Sequence, residues 1–208
     1  MTQFLKPILI LAILGSSLFA KSKKVTWLPS QFQASFVSID EDVFDGVKKT
    51  KGELSYKYPK RLKMEFFSDP KTIYVRNLSD IYLYKAPKFK GVPGELTITK
   101  GGSGDLMNFF DSLRVNGLDS NKNYEVQKKG NVVKIIFSKG KAKQLKMTNA
   151  QLNFEASKYD FKLIKSIAVT LDSEKVVNYE LGNIDVNAKL SKEHFVFKTP
   201  KNTNVVTN

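Results

Sequence analysis

Between residues 51 and 87 apolar side chains recur at every second position in four short runs, and this period constrains the chain more than any other feature. Leu54 and Tyr56, then Leu62, Met64 and Phe66, then Ile73 and Val75, then Ile81 and Leu83 alternate with Glu53, Lys57, Arg61, Lys63, Glu65 and Arg76. A period of two sends successive side chains to opposite faces of a strand, so each run predicts a strand with one apolar face. The breaks fall at Pro59, at Ser68-Asp69-Pro70 and at Asn77-Leu78-Ser79-Asp80, all turn-forming sequences. Together the runs predict an antiparallel sheet that either covers its apolar face with its own elements or keeps it for a ligand.

Residues 124–129, 132–137, 145–154, 161–171 and 176–186 predict five more strands, with a Lys/Gly-rich loop between the second and third. Spacing this regular predicts a sheet that curls into a barrel or half-barrel. One segment departs from the β pattern. Across 103–117, Leu106, Phe109, Phe110 and Leu113 follow the i, i+3, i+4, i+7 stripe of an amphipathic helix, with Ser103 placed to cap its start and Gly117 its end. A Gly/Pro-punctuated connection, 86–102, leads into it.

The N-terminus directs export. Lys6 precedes an almost wholly apolar run at 7–18, and Leu18-Phe19-Ala20 offers a cleavage site before Lys21. That run is far shorter than the roughly 20 residues of a membrane-spanning helix, so residues 1–20 are expected to be a cleaved signal peptide. Residues 21–208 are then expected to form a single domain. The chain has no cysteine, hence neither a disulfide framework nor the acceptor thiol of a lipid-modified bacterial lipoprotein.

The order of the segments is similar to that of the LolA family, periplasmic carriers of outer-membrane lipoproteins. The resemblance rests on Phe32-x-Ala34-x-Phe36, Gly52-x-Leu54, Pro59 with its following strand, Asp69-Pro70, Ile81-Tyr82-Leu83-Tyr84-x-x-Pro87, Phe195-x-Phe197-x-x-Pro200 and Val205-Val206. It runs from about Phe32 to Val206 and is carried by order and spacing together. It implies a mainly β fold with a few helices: a curved antiparallel sheet forming an unclosed half β-barrel with a helical lid, the helix at 103–117 standing where the family has its lid. It also implies a periplasmic monomer that shields the acyl chains of lipoproteins in a hydrophobic cavity. The implied donor is an inner-membrane ATP-driven lipoprotein-releasing complex, and the implied acceptor is an outer-membrane lipoprotein receptor. Two departures stand out. Only residues 21–31 precede Phe32, interrupted by Pro29, which leaves little room for the family's first helix. Where the family commonly has an arginine that tethers the lid, this chain has Tyr58, with Arg61 just beyond Pro59. Tyr58 and Arg61 are the latch candidates, and a phenol lacks the planar fork of donors that an arginine supplies.

Alternation makes Phe36, Leu54, Tyr56, Leu62, Met64, Phe66, Ile81, Leu83, Phe109, Phe110 and Leu113 the candidate lipid-binding residues, each equally readable as ordinary core. A related reading keeps the sheet but assigns it another lipid, a phospholipid or lipopolysaccharide. A third closes the sheet on its own side chains with no ligand.

Catalytic chemistry has few residues to draw on. With one histidine, His194, in an expected terminal strand and no cysteine, zinc sites of the usual ligands and Cys/His catalysis are not expected. Gly101-Gly102-Ser103-Gly104 matches neither a nucleophile elbow nor a phosphate loop. Asp40, Glu41, Asp42 and Asp45 match no calcium-loop spacing and are expected to form a solvated hairpin loop. No cofactor, metal or catalytic residue is expected, and the chain is not expected to be an enzyme. Formal charge is +14, and removal of Lys6 with the leader leaves +13. In an exported protein that charge favours anionic membrane surfaces or acidic partners, and nucleic acid is not an expected partner.

Overall fold

The computed structural model describes residues 26–42, 46–101 and 106–208. The expected signal peptide, the proposed cap Ser103 and the Asp45 end of the acidic loop lie outside the described residues. Residues 26–30, ahead of the first strand, contain no helix.

Twelve strands among the described residues join one sheet: β1 (Gln31–Asp42), β2 (Gly46–Lys57), β3 (Arg61–Phe66), β4 (Thr72–Asn77), β5 (Asp80–Lys85), β6 (Gly94–Thr99), β7 (Tyr124–Lys129), β8 (Val132–Phe137), β9 (Met147–Phe154), β10 (Ile164–Leu171), β11 (Val176–Asp185) and β12 (Thr203–Thr207). Helices α1 (Leu106–Asn116) and α2 (Lys139–Leu145) interrupt the series. The strand order is β12-β6-β5-β4-β3-β2-β1-β11-β10-β9-β8-β7, with β12 and β7 at its two free edges. The sheet is therefore an unclosed, mainly antiparallel half-barrel with a helical element. Its only parallel pair among the described strands is β12 with β6.

That parallel pair follows from the route of the chain after β11. The stretch 186–200 crosses the outer face of the sheet, where a 3-10 turn at Glu193–Phe195 packs against β3 and β4, and then delivers β12 to the edge of β6. Ala188, Leu190 and Phe195 form a small core there. Phe197 packs on the rings of Tyr82 and Tyr84.

The strap alters the reading of β4. Met64, Tyr74 and Leu83 lie opposite one another across β3, β4 and β5, so these three share the inner face. Ile73 and Val75 consequently face outward, and Val75 is fully buried on that side. The expectation of a single apolar face fails here because the sheet is covered on both sides, and alternation cannot say which covered face is concave.

The inner face holds the main core. Phe32 packs against Tyr56, Phe110 and Phe161 at centroid separations of 5.4, 5.5 and 4.6 Å. Helix α1 buries Leu106, Met107, Phe109, Phe110 and Leu113 against it. The stripe predicted for this helix is thus the buried stripe, and Gly117 follows it at φ +73, its N–H donating to Leu113 O as a C-terminal cap. Gly52 explains one fixed point of the sequence pattern: an added Cβ would stand 2.3 Å from Glu65 O and 2.4 Å from Phe36 Cζ. Only a glycine lets the Phe36 ring lie across β2 at that point.

Other elements differ from expectation. Residues 94–99, expected within a connection, form β6 and pair with β5. The Lys/Gly-rich loop is α2, which withdraws Leu145 from β9. Phe161 sits in a 3-10 turn ahead of β10, and His194 sits in the strap's 3-10 turn, not in a strand. Each exception is a short, polar or punctuated segment whose structure comes from its tertiary neighbours and not from its own period.

Candidate ligand-binding site

Helix α1 fills only part of the concave trough. Beyond its first residue, Leu106, a cavity of about 500 Å³ remains between the two limbs of the sheet. Leu62, Met64, Phe66, Tyr74 and Leu83 from β3, β4 and β5 form one wall. Met147, Val169, Leu171, Val177 and Tyr179 from β9, β10 and β11 form the other. Asp40, Lys48, Ser68 and Thr72 make a polar rim toward the strand ends, and Ser38 and Thr50 add polar groups farther along β1 and β2. A mainly apolar lining with charged groups at its rim suits a ligand with a hydrocarbon body and a wet end.

Four of the eleven sequence candidates, Leu62, Met64, Phe66 and Leu83, are brought together on one wall. Phe36, Leu54, Tyr56, Phe109, Phe110 and Leu113 are buried in the packing of sheet against helix. Ile81 is half-buried opposite Thr99 of β6, away from the cavity wall. The second wall was absent from the candidates although Val169 and Leu171 alternate just as Met64 and Phe66 do. Its signal was present, but only the curl of the sheet brings β9, β10 and β11 to face β3, β4 and β5.

Charge is concentrated at the rim. Lys175 Nζ lies 2.8 and 3.0 Å from the two carboxylate oxygens of Asp40, and Lys48 stands opposite Asp40 in the β1–β2 register. Burial, reinforced by the Asp40 charge, pushes the Tyr179 phenol up to about 12, so it stays neutral at any ordinary pH.

The contacts that hold α1 are adjacent to the two latch candidates. The Tyr56 hydroxyl donates to Asp111 Oδ1 at 2.7 Å, and the Lys60 backbone N–H donates to Asp111 Oδ2 at 3.1 Å. Arg114 Nη1 donates to Leu28 O at 2.8 Å. Tyr58 is partly exposed and donates its backbone N–H to Ser30 O, while Arg61 Nη1 donates to Pro59 O at 3.3 Å. Burial of Tyr56, then the charge and hydrogen bond of Asp111, raise its pKa far above the ordinary phenol value and keep the donor proton in place.

Among the described residues no group of three or more His, Cys, Asp or Glu side chains is placed to hold a metal ion, and no helix is long and apolar enough to cross a membrane. Burial, aided by the Lys63 charge, holds His194 below the ordinary imidazole range.

Fold and cavity together define an open, curled β sheet with a helix seated in its trough and a greasy hollow beside the helix. No protein-family model matches the chain, and no curated protein matches it. Among solved structures it is similar to a LolA superfamily protein from Nitrosomonas europaea, at 8% identity and TM-score 0.48 over 83% of this chain and 93% of that one. It is also similar to a DUF1329 family protein from Desulfovibrio piger, at 10% identity and TM-score 0.41 over 81% and 90%. A third likeness is to a domain from Vibrio parahaemolyticus named as an outer membrane lipoprotein-sorting protein, at 13% identity and TM-score 0.40 over 80% and 89%. Scores below 0.5 at such identities leave the functional question to the chain's own geometry.

Proposed function

We propose that this protein is an exported carrier that takes fatty acyl chains into the hollow between α1 and the two limbs of the sheet. The observation that carries the reading is the cavity itself: about 500 Å³, with two mainly apolar walls. Shielding matters because each exposed methylene costs roughly 0.8 kcal/mol in water, which keeps a long acyl chain from crossing an aqueous compartment unaided. Transfer from bilayer to cavity is nearly neutral in hydrophobic free energy, so release stays feasible. The segment order shared with LolA extends the reading to acylated lipoproteins moving through the periplasm from an inner-membrane ATP-driven releasing complex to an outer-membrane receptor. The export signal expected at residues 1–20 and the lack of cysteine fit this reading.

The present cavity lies within the 300–1,000 Å³ typical of sites for a single small ligand. A lipopeptide with several chains requires α1 to move aside, breaking the bonds of Asp111 and Arg114. A lipid with fewer chains fits with less rearrangement, and this favours phospholipid as the second reading.

Mass spectrometry of apolar material co-purifying with the exported protein separates the two. Acylated peptides support the lipoprotein carrier, phospholipid supports the second reading, and an empty protein that also fails to brighten an apolar dye removes both. For the first reading, depletion of the protein followed by membrane fractionation is expected to leave lipoproteins in the inner membrane.

A further inference from the structure

We propose that the two turns flanking β4 and β5 form a lip that dips into an anionic bilayer and brings the cavity mouth to the membrane surface. The turns, 67–71 and 85–93, lie at the end of the sheet where the cavity rim residues Ser68 and Thr72 sit. They are stitched into one edge by backbone bonds from Phe67 N to Lys51 O and from Ala86 N to Lys71 O, both 2.8 Å.

Their composition is amphipathic residue by residue. Phe89 is 66% exposed, Phe67 55% and Val92 47%. Lys88 Nζ lies 5.7 Å from the Phe89 ring centre and Lys71 Nζ 5.9 Å from that of Phe67. The two turns carry Lys71, Lys85, Lys88 and Lys90 against Asp69, four positive charges less one negative, a net of +3. Lys71 also pairs with Glu65 at 2.6 Å. The β1–β2 hairpin leaves the sheet at this same end, and there the Asp40 charge is met by Lys175 at 2.8 Å, with Lys48 opposite it in register.

A bilayer is the occupant that this arrangement fits. The exposed apolar groups are few, come from two turns and are each accompanied by lysine, a composition that suits the interface of an anionic bilayer. Rings inserted to the acyl boundary let their lysines snorkel up to phosphate level, where each contributes attraction to anionic lipid within a Debye length. The placement beside the cavity mouth shortens the path of an acyl chain between bilayer and hollow. The lip is independent of what the cavity binds, so it is tested with no cargo present.

The test is co-sedimentation of the purified exported protein with vesicles of phosphatidylglycerol mixed with phosphatidylcholine, and with pure phosphatidylcholine. The protein is expected to sediment with the anionic vesicles alone. Lys88→Gln with Lys90→Gln is expected to weaken this about thirtyfold, equivalent to about 2 kcal/mol for two charges. Phe89→Ser is expected to weaken it severalfold, and Lys100→Gln with Lys165→Gln, at the opposite end of the strands, to leave it unchanged. Thermal midpoints of these loop variants should match the wild type. The proposal fails if the wild type ignores anionic vesicles, which would leave the lip to a protein partner. It fails also if the remote pair weakens binding as much as Lys88 and Lys90, or if Phe89→Ser has no effect, since either result would mean diffuse charge attraction without insertion.

Discussion

The Tyr56 hydroxyl on β2 donates a 2.7 Å hydrogen bond to Asp111 Oδ1 on α1, joining the floor of the trough to the helix that occupies it. The Lys60 backbone N–H bonds the other carboxylate oxygen. One side chain of α1 is thus held at two points by the β2–β3 hairpin. Tyr56→Phe keeps the ring in its packing with Phe32 and Phe110 but leaves a partly buried carboxylate short of a donor, at an expected cost of about 1–3 kcal/mol. Denaturant unfolding should show a lower midpoint at unchanged slope. If α1 covers the hollow, the same variant should brighten an apolar dye more than the wild type does; equal brightness would show that the bond holds the fold without restraining the helix.

Separating site from core requires two substitutions of opposite outcome. Leu83 lines the cavity and is 36% exposed, so Leu83→Glu is expected to fold normally while weakening an acyl probe about tenfold or more, that is by about 1.4 kcal/mol. Phe110 is only 1% exposed, and Phe110→Ala should cost about 3–5 kcal/mol of stability. Probe titration and thermal unfolding of both variants check the pair, and unchanged binding by a folded Leu83→Glu protein would move the site elsewhere.

Gly52→Ala is expected to be disruptive despite its small size. The added methyl meets Glu65 O and the Phe36 ring at 2.3 and 2.4 Å, and the backbone oxygen cannot swing away as a side chain can. A loss of about 1–3 kcal/mol in unfolding free energy is expected, and Phe36→Ala in the same chain should recover only part of it.

Three phenols set an alkaline limit. Burial is the main cause that pushes Tyr124 and Tyr179 up to about 12 from 10.0, and it raises Tyr56 as well. In the unfolded chain these groups ionise near 10, whereas in the fold they stay protonated. Their contribution is complete below about pH 10 and is lost as pH rises from there through about 12. Unfolding free energy measured across that window should fall, and Tyr179→Phe should fall less steeply than wild type. Parallel curves would mean that the Tyr179 environment is more open to water than its packing indicates.

Much of the architecture is legible along the chain. The runs around Leu62-x-Met64-x-Phe66 and Val169-x-Leu171 carry the period of two, and Leu106, Phe109, Phe110 and Leu113 carry the helical stripe, because each repeat reflects a strand or helix with a buried side. The segments 94–99 and 139–145 are harder to read: Leu96 and Ile98 alternate as Ile81 and Leu83 do but beside a Gly/Pro-punctuated stretch, and residues 139–145 carry a single large apolar residue, Leu145. They become strand and helix through the free edge of β5 and the burial of Leu145.

What the amino-acid order determined by itself was most of the strands, the one long buried helix, and the lack of cysteine. These are local or compositional properties, readable from neighbours a few residues apart. Only the tertiary structure decided which buried residues are core and which face the hollow, because that depends on where α1 begins, at Leu106, within the trough. It likewise decided that Ile73 and Val75 face the strap, that the second wall comes from β9, β10 and β11, and that Asp111 finds Tyr56. Each is a meeting of segments far apart in the chain, set by the curl of the sheet and by the route of its C-terminal stretch, neither of which leaves a mark on any single run of residues.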